Sequence, residues 1–223
     1  IVSVVPRSAN ALVPGPDDTV IDAVGCFVIP GGVDAHVHMQ LDTGTMVSSD
    51  SFESGTIAAA HGGTTTIIDF SEQRLGGQVL TAFESRFAEA ESQCVIDWGL
   101  HQVLGGVDAQ ALIDTRSLVE REGVASIKLF MAYPGVFYSD DGQILRAMQT
   151  ASENGATIMM HAENGIAIDV LVQQHIARGD TDPKYHSYSR PSLLEGEATN
   201  RAIVLSKVAG NVPLYIVHMS ASE

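Results

Sequence analysis

Two histidines with one residue between them, His36 and His38, close an apolar segment near the start of the chain. In an extended strand, residues i and i+2 project from the same face, so both imidazoles should point into one small volume. Imidazole is the commonest protein ligand for zinc-like metals, and two converging rings therefore indicate half of a metal site. A histidine pair at a strand end also fits a surface position or a hydrogen-bonded core position. The interpretation therefore depends on the rest of the chain.

Other apolar segments also carry or end on polar residues. His161 and His218 each end one, and Lys128 lies inside the apolar run 126–131. A buried ammonium group is costly unless it is paired or neutralised. Lys128 therefore either forms a salt bridge to a carboxylate or stays neutral and reacts with carbon dioxide to give an anionic carbamate. A carbamate could bridge two divalent metals, and the four histidines would complete a centre that activates water and polarises a carbonyl.

From Gly31 onward, apolar strands, polar loops and amphipathic helices alternate, which is typical of βαβ units with a parallel sheet. We predict strands at residues 33–38, 64–70, 95–104, 125–131, 156–161 and 213–218. Six such units favour a (β/α)8 barrel, with about six of its eight units present. A doubly wound sheet is the alternative, but no Gly-x-Gly-x-x-Gly turn follows the first strand. In a barrel, the histidines would meet at the C-terminal rim of the strands.

Four further features carry weaker expectations. Residues 1–30 contain short predicted β segments at 19–22 and 26–29, separated by turns. Asp69, at the end of the second strand, could support a metal ligand, cap a helix or form a salt bridge. His101, in the third strand, is expected to pack near the site rather than bind metal. Asp50 with Glu53, and Ser192 with Glu195, have the spacing of helix-capping boxes.

The chain resembles the dihydropyrimidinase and hydantoinase family of cyclic amidohydrolases. The stretches that carry the resemblance are IPGGVDAHVHMQ, GGTTTIIDF, SIKLFMAYPGVFYSDDG, MMHAENG, RPSLLEGEATNRAI and PLYIVHMSASE. The resemblance implies that His36 and His38 bind the more buried of two metals, most often zinc. It implies that Lys128, carboxylated by carbon dioxide, bridges both metals, while His161 and His218 hold the more exposed one. Tyr133 would bind the substrate carbonyl and stabilise the oxyanion.

The implied reaction opens a dihydropyrimidine or hydantoin ring to give an N-carbamoyl amino acid. In the family, an aspartate at the end of strand eight binds the buried metal and carries the proton, and no such strand follows here. We therefore expect residues 31–223 to be part of a barrel, and residues 1–30 part of a small β-sandwich, within a longer polypeptide. The 223 residues alone are expected to be inactive.

Two kinds of relative remain as alternatives. Dihydroorotase typically has an arginine after its first histidine motif, whereas Met39, Gln40 and Leu41 follow here, and allantoinase is disfavoured for a similar reason and by the Tyr133 loop. A non-catalytic scaffold protein of the same fold would have lost the metal ligands that this chain retains. Metal content, about two zinc ions per subunit or none, would separate an enzyme from a scaffold.

Composition narrows the class of partner. The net charge of −15 argues against nucleic-acid binding, and no apolar run approaches the length of a membrane span. The first residues lack the pattern of a secretory signal, and the two cysteines suggest no disulfide framework. We expect a cytoplasmic protein that acts on a small molecule. The family resemblance suggests a homotetramer.

Overall fold

The computed structural model describes residues 4–5 and 14–223. Contacts divide the chain into two units, Ile1–Gly31 and Gly32–Glu223. Within the first unit, residues 14–31 contain two turns and no strand. The structure therefore shows no strand at 19–22 or 26–29, where the sequence predicts β segments. An extended segment becomes a strand only when a neighbouring segment pairs with its backbone hydrogen-bonding groups. The rest of the predicted sandwich segment, residues 1–3 and 6–13, lies outside the described residues.

The second unit alternates strands and helices along its length. Its elements are β1 (Gly32–Asp34), α1 (Phe52–His61), β2 (Thr64–Gln73), α2 (Val79–Gln93), β3 (Asp97–Leu104), α3 (Ala109–Ser117), a π-helical turn (Leu118–Glu122), β4 (Ser126–Phe130), α4 (Asp141–Asn154), β5 (Thr157–His161), α5 (Gly165–Ala177), α6 (Tyr185–Tyr188), α7 (Ser192–Val208) and β6 (Leu214–Ile216). In the described residues, the strands form one six-stranded sheet in sequence order, and every neighbouring pair is parallel.

The sheet curls so that its two edge strands approach each other. Six strands spaced about 4.8 Å apart in a flat sheet would separate the edges by about 24 Å. Instead, the ring of His36, just after β1, lies 6.1 Å from the ring of His218, just after β6. A doubly wound sheet would also reverse its strand order part-way, whereas this order is sequential. The six strands, with the helices between them, are therefore successive strands of a (β/α)8-type barrel, as the sequence predicts.

The strands at the two edges are shorter than predicted. β1 ends at Asp34, whose Oδ1 accepts a hydrogen bond from His36 N (3.2 Å), and His36 and His38 lie on the irregular segment beyond. β6 ends at Ile216, two residues before His218. β3 begins two residues late because Val95 N donates to Thr56 Oγ1 in α1 (3.2 Å).

Helices cover the outer face of the sheet and bury the main core. Outward-facing residues of β4 and β5 pack against α4; the buried set includes Ile127, Leu129, Met131, Ile144, Met148, Ile158 and Met160. On α2, Phe83 and Ala90 are buried, while Phe87 stays 37% exposed. No helix in the described part of the chain is both long and apolar enough to cross a bilayer.

Both predicted capping boxes are wrong. At α1, Ser51 rather than Asp50 is the N-cap, and its box partner is Ser54. The carboxylate of Asp50 accepts from the Ser54 hydroxyl instead (3.1 Å). At α7, Ser192 is already helical, and its hydroxyl donates to Glu223 Oε1 (2.9 Å).

Candidate functional site

Four imidazoles converge at the C-terminal rim of the sheet. The rings of His36 and His38 are 5.3 Å apart between centroids, and those of His161 and His218 are 4.5 Å apart. The first pair follows β1, while the second joins the end of β5 to the segment after β6. With His36 6.1 Å from His218, the two pairs face each other across the curled sheet.

The ring of Phe70, on the inner face of β2, supports the first histidine pair. It stacks on His38 at 4.6 Å and 14° and contacts His36 at 4.7 Å. Phe70 is 2% exposed, so this platform is part of the inner core. Sequence reasoning missed it, because a phenylalanine in an apolar strand carries no chemical signal. The one usable sequence signal was strand alternation, which places Phe70 on the inner face of β2 when its neighbour Asp69 points outward.

Lys128 lies between the two pairs on β4, and its residue is only 3% exposed. No carboxylate in the described residues forms a salt bridge with it, so the structural alternative raised by the sequence lacks its partner. The ammonium nitrogen instead lies over the rings of Phe130 (5.0 Å) and Phe70 (5.7 Å). Burial lowers the pKa of Lys128 from 10.5 to about 7. A neutral amine is therefore well populated near neutral pH, and a neutral amine is the form that carbon dioxide attacks.

Two of the imidazoles at this rim, His36 and His38, are neutral near pH 7. Burial, helped by the charge of Lys128, lowers the pKa of both His36 and His38 from 6.5 to about 4. Burial also lowers the pKa of His218. The Nε2 of His161 hydrogen-bonds Glu163 Oε2 at 2.8 Å, and this bond leaves its Nδ1 unengaged. Neutral imidazole is the form that binds metal.

His101 lies one layer below the rim and uses both ring nitrogens. Its Nε2 lies 2.9 Å from the carbonyl oxygen of Ala35, and its Nδ1 pairs with the hydroxyl of Ser126. It therefore holds the backbone just before His36 and has no free nitrogen for a metal, in line with the expectation that it packs near the site. Burial lowers the pKa of His101, so the ring is neutral.

Asp69 faces the opposite side of β2 from Phe70 and is 1% exposed. Of the three roles raised for it by the sequence, the structure shows a salt bridge, with Arg86 Nη2 2.6 Å from Asp69 Oδ1. Burial raises the pKa of the Asp69 carboxyl, while Arg86 and the backbone N–H groups of Met39 and Phe70 oppose that rise. The pair contacts the segment that carries the first two histidines.

Tyr133 follows β4 in a strained turn beside the rim. Its φ of +60° is unusual for a bulky residue, and its carbonyl accepts hydrogen bonds from the backbone N–H groups of Val136, Phe137 and Tyr138. Its ring lies 5.1 Å from His161. The side chain is thus held at the edge of the site.

A cavity of about 700 Å³ opens onto these residues. The four imidazoles, Lys128 and Tyr133 line its base and side, and its outer wall is largely apolar, formed by Leu41, Leu75, Phe130, Val136 and Phe137. A small organic molecule with an apolar part fits such a space. Arg74 also borders the cavity, but it donates to the carbonyl oxygen of Asp42 (3.0 Å) and lies near the carboxylate of the same residue.

The spacing of the four imidazoles bears on the metal centre expected from the sequence. In the described part of the chain, no three His, Cys, Asp or Glu side chains form a group that could hold a metal ion. A centre with two histidines on each of two metals requires pairs, so pair spacing is the relevant measure. Zn–N bonds of about 2.0–2.1 Å at a tetrahedral angle place two ring centroids about 5 Å apart. The observed separations of 5.3 and 4.5 Å fit that spacing.

Comparison with known proteins identifies the family of the chain. Residues 27–206 match the model described as the amidohydrolase family. The chain belongs to the amidohydrolase family. Among curated amidohydrolases, it is 59% identical over 206 residues to the D-hydantoinase of Streptomyces coelicolor, which covers 92% of the chain and 44% of that protein. It is 47% identical over 204 residues to the D-hydantoinase of Geobacillus stearothermophilus, covering 92% of the chain and 43% of that protein.

A solved amidohydrolase structure agrees in fold. The dihydropyrimidinase of Brevibacillus agri superposes with a TM-score of 0.89 at 42% identity, over 93% of this chain and 45% of that one. The resemblance to dihydropyrimidinases and hydantoinases drawn from the sequence is thus confirmed. The chain spans less than half the length of these relatives.

Proposed function

We propose that the polypeptide carrying this chain hydrolyses the cyclic amide bond of dihydropyrimidines or hydantoins to N-carbamoyl amino acids, using two divalent metals. The observation that carries the proposal is the convergence of two imidazole pairs near a buried lysine that has no carboxylate partner among the described residues. A salt-bridged lysine or scattered histidines would not serve this chemistry. The names of the similar relatives support the substrate class.

The proposed ligands divide between two metal positions. His36 and His38 hold the more buried ion, and His161 and His218 hold the more exposed one. Lys128 would serve as the ligand shared by the two positions once its amine has attacked carbon dioxide, a step that forms an N–C bond and releases one proton. The carbamate oxygens would add negative charge beside the imidazoles, where the carboxylate of Glu163 already pairs with His161. We take zinc as the ion because imidazole donors at tetrahedral spacing suit it.

Bound divalent ions would supply Lewis acidity toward the ring carbonyl and lower the pKa of a water molecule. The chain's own residues do the rest. Tyr133 donates its hydroxyl hydrogen bond to the carbonyl oxygen as negative charge develops there. Phe130, Phe137 and Val136 exclude water from one side of the cavity and contact the apolar substituent of the ring.

The test uses the full-length polypeptide with dihydrouracil, hydantoin and 5-substituted hydantoins as substrates. We expect about two zinc ions per subunit, ring opening that a chelator abolishes, and recovery when zinc and bicarbonate are restored. His36→Ala should remove activity and lower the metal content, while the control His61→Ala, on the exposed side of α1, should change neither. A protein that contains no metal and opens none of these rings would contradict the proposal and favour a scaffold role.

Dihydroorotase activity is a weaker candidate. It requires a cation that grips the substrate carboxylate, and the nearby Arg74 already pairs with Asp42. Dihydroorotate and allantoin belong in the same substrate panel to decide the point. The cytoplasmic location and the homotetramer remain predictions, to be checked by cell fractionation and by the solution mass of the full-length polypeptide.

A further inference from the structure

The backbone that carries His36 and His38 lies beyond the regular ladder, so something else must fix it. β1 ends at Asp34, and beyond it Val37 N donates to Ile68 O at 3.3 Å. The next anchor is Met39, immediately after His38. Its N–H donates to Asp69 Oδ2 (2.7 Å), and its carbonyl oxygen accepts from Arg86 Nη2. Both polar backbone groups of one residue are thus captured by one buried ion pair.

Arg86, on α2, is itself held in a single orientation. Its Nε and Nη2 donate to Asp69 Oδ1 at 3.0 and 2.6 Å, and its Nη1 donates to Glu89 Oε2 at 2.8 Å. The guanidinium carbon lies 4.4 Å above the ring centre of Phe52. The arginine side chain is 14% exposed and that of Asp69 is 1% exposed. A guanidinium group whose three nitrogens all donate hydrogen bonds in a buried site has little rotational freedom.

Consecutive residues of β2 therefore hold His38 from two sides. Phe70, facing inward, stacks on its ring, and Asp69, facing outward, binds the peptide that follows it. The Met39 side chain also packs so closely against Gly55 of α1 that a Cβ there would meet its sulfur. The histidine ring and its backbone are thus fixed by separate groups.

We propose that Asp69 and Arg86 are positioning residues for the metal site: by clamping the backbone of Met39, they set the direction in which His38 and His36 project. This inference rests on the proposed function, because it assigns a role toward the same metal ions. Residues that orient metal ligands typically change metal affinity by about 10- to 100-fold when altered. A pair that served only to join α2 to β2 would leave metal affinity unchanged.

The test compares Arg86→Lys with Glu89→Gln in the full-length polypeptide, and measures zinc affinity by competition with a chromophoric chelator. Lysine keeps the charge opposite Asp69, but its single, shorter-reaching ammonium group cannot reproduce the planar set of Nε, Nη1 and Nη2 donors that fixes the arginine between Asp69 and the Met39 carbonyl. We expect Arg86→Lys to weaken zinc binding by about 10-fold or more. Glu89→Gln alters the arm of the same arginine that faces away from Met39, and it should change affinity less than about 2-fold.

A second readout separates positioning from stability. Zinc raises the melting temperature by an amount that depends on its affinity for the folded state. A merely structural role for Arg86 would lower the melting temperatures of the zinc-free and zinc-loaded proteins equally, whereas a positioning role reduces the increment between them. The same comparison of melting temperatures can be made on a variant that is only marginally folded.

The outcomes separate the two proposals. If Arg86→Lys binds zinc as tightly as the wild type, and zinc raises its melting temperature by the same amount, the positioning role is wrong. The hydrolase proposal would then still stand. A wild-type protein that binds no zinc overturns both. Loss of affinity in Arg86→Lys but not in Glu89→Gln supports the clamp, and equal loss in both variants overturns it.

Discussion

Replacing Lys128 by methionine should stabilise the protein when metal and carbon dioxide have been removed. Lys128 is buried over two aromatic rings, with no salt-bridge partner among the described residues. Its pKa falls from 10.5 to about 7 because burial disfavours the charged form. Methionine has a similar length and needs no hydration. The substitution therefore removes a cost that carbamate formation and metal binding would otherwise offset.

The size and pH dependence of the gain follow from this pKa. Because the folded pKa lies below the unfolded one, the unfolded chain binds more protons between about pH 7 and 10.5. The lysine therefore destabilises the folded state fully below about pH 7, and the penalty disappears as the pH rises toward 10.5. At about 1.4 kcal/mol per pKa unit, the cost near pH 7 is about 4 kcal/mol, and it drops below about 1 kcal/mol at pH 10.

Urea unfolding of the metal-free, carbon-dioxide-free polypeptide at several pH values between 6 and 10 measures this difference. Lys207→Met is the matched control: Lys207 is exposed on α7, and its loss should change the free energy of unfolding by less than about 0.5 kcal/mol. The same Lys128→Met protein should fail to retain two zinc ions. If metal-free Lys128→Met is less stable than the wild type at pH 7, or if its gain is the same at pH 7 and pH 10, the argument from desolvation is wrong.

Two further substitutions test the loop beside β4. Gly165→Ala should lower the free energy of unfolding by about 1–3 kcal/mol, because its Cβ would lie 2.6 Å from the Ala132 Cα. Gly99→Ala is the control, because the nearest neighbour of its Cβ would be Ile68 Cγ2 at 3.8 Å. Thermal melts of both variants measure the difference. Tyr133→Phe should lower kcat by about 100-fold or more with a smaller change in KM, as expected for a donor to a developing oxyanion. Tyr188→Phe, on an exposed tyrosine of α6, should leave both constants unchanged, and an active Tyr133→Phe enzyme would remove this role from Tyr133.

The rim was predictable from sequence where regular strands carry it. Lys128 and His161 lie inside β4 and β5, so apolar runs and strand alternation were enough to place them. The pair His36 and His38 was predicted to converge because an extended strand alternates its side chains. The rings do converge, but beyond the end of β1. Phe70 and the clamp on Met39 therefore hold the two rings together where the ladder no longer does.

The supporting residues could not be predicted because their partners are distant in sequence. Nothing local distinguishes Arg86 from any arginine on an amphipathic helix, and its contact with Met39 spans 47 residues. The sequence shows Asp69 as a polar residue at a strand end. Which of its three expected roles it takes depends on how α2 packs on β2, and the sequence does not reveal that packing. The capping boxes failed because other groups took the predicted bonds: the neighbouring Ser54 hydroxyl at Asp50, and the distant Glu223 carboxylate at Ser192.

Alternation along each strand ties the site to the helical layer outside it. On β2, the inward Phe70 touches the histidines, and the outward Asp69 binds α2. On β4, the inward Lys128 is flanked by Ile127 and Leu129, which are buried against the helices. A metal site at this rim therefore cannot be repositioned by changing its inward residues alone. The direction of each ligand depends on how its outward neighbours pack, so helix-layer residues such as Arg86 belong to the determinants of metal affinity.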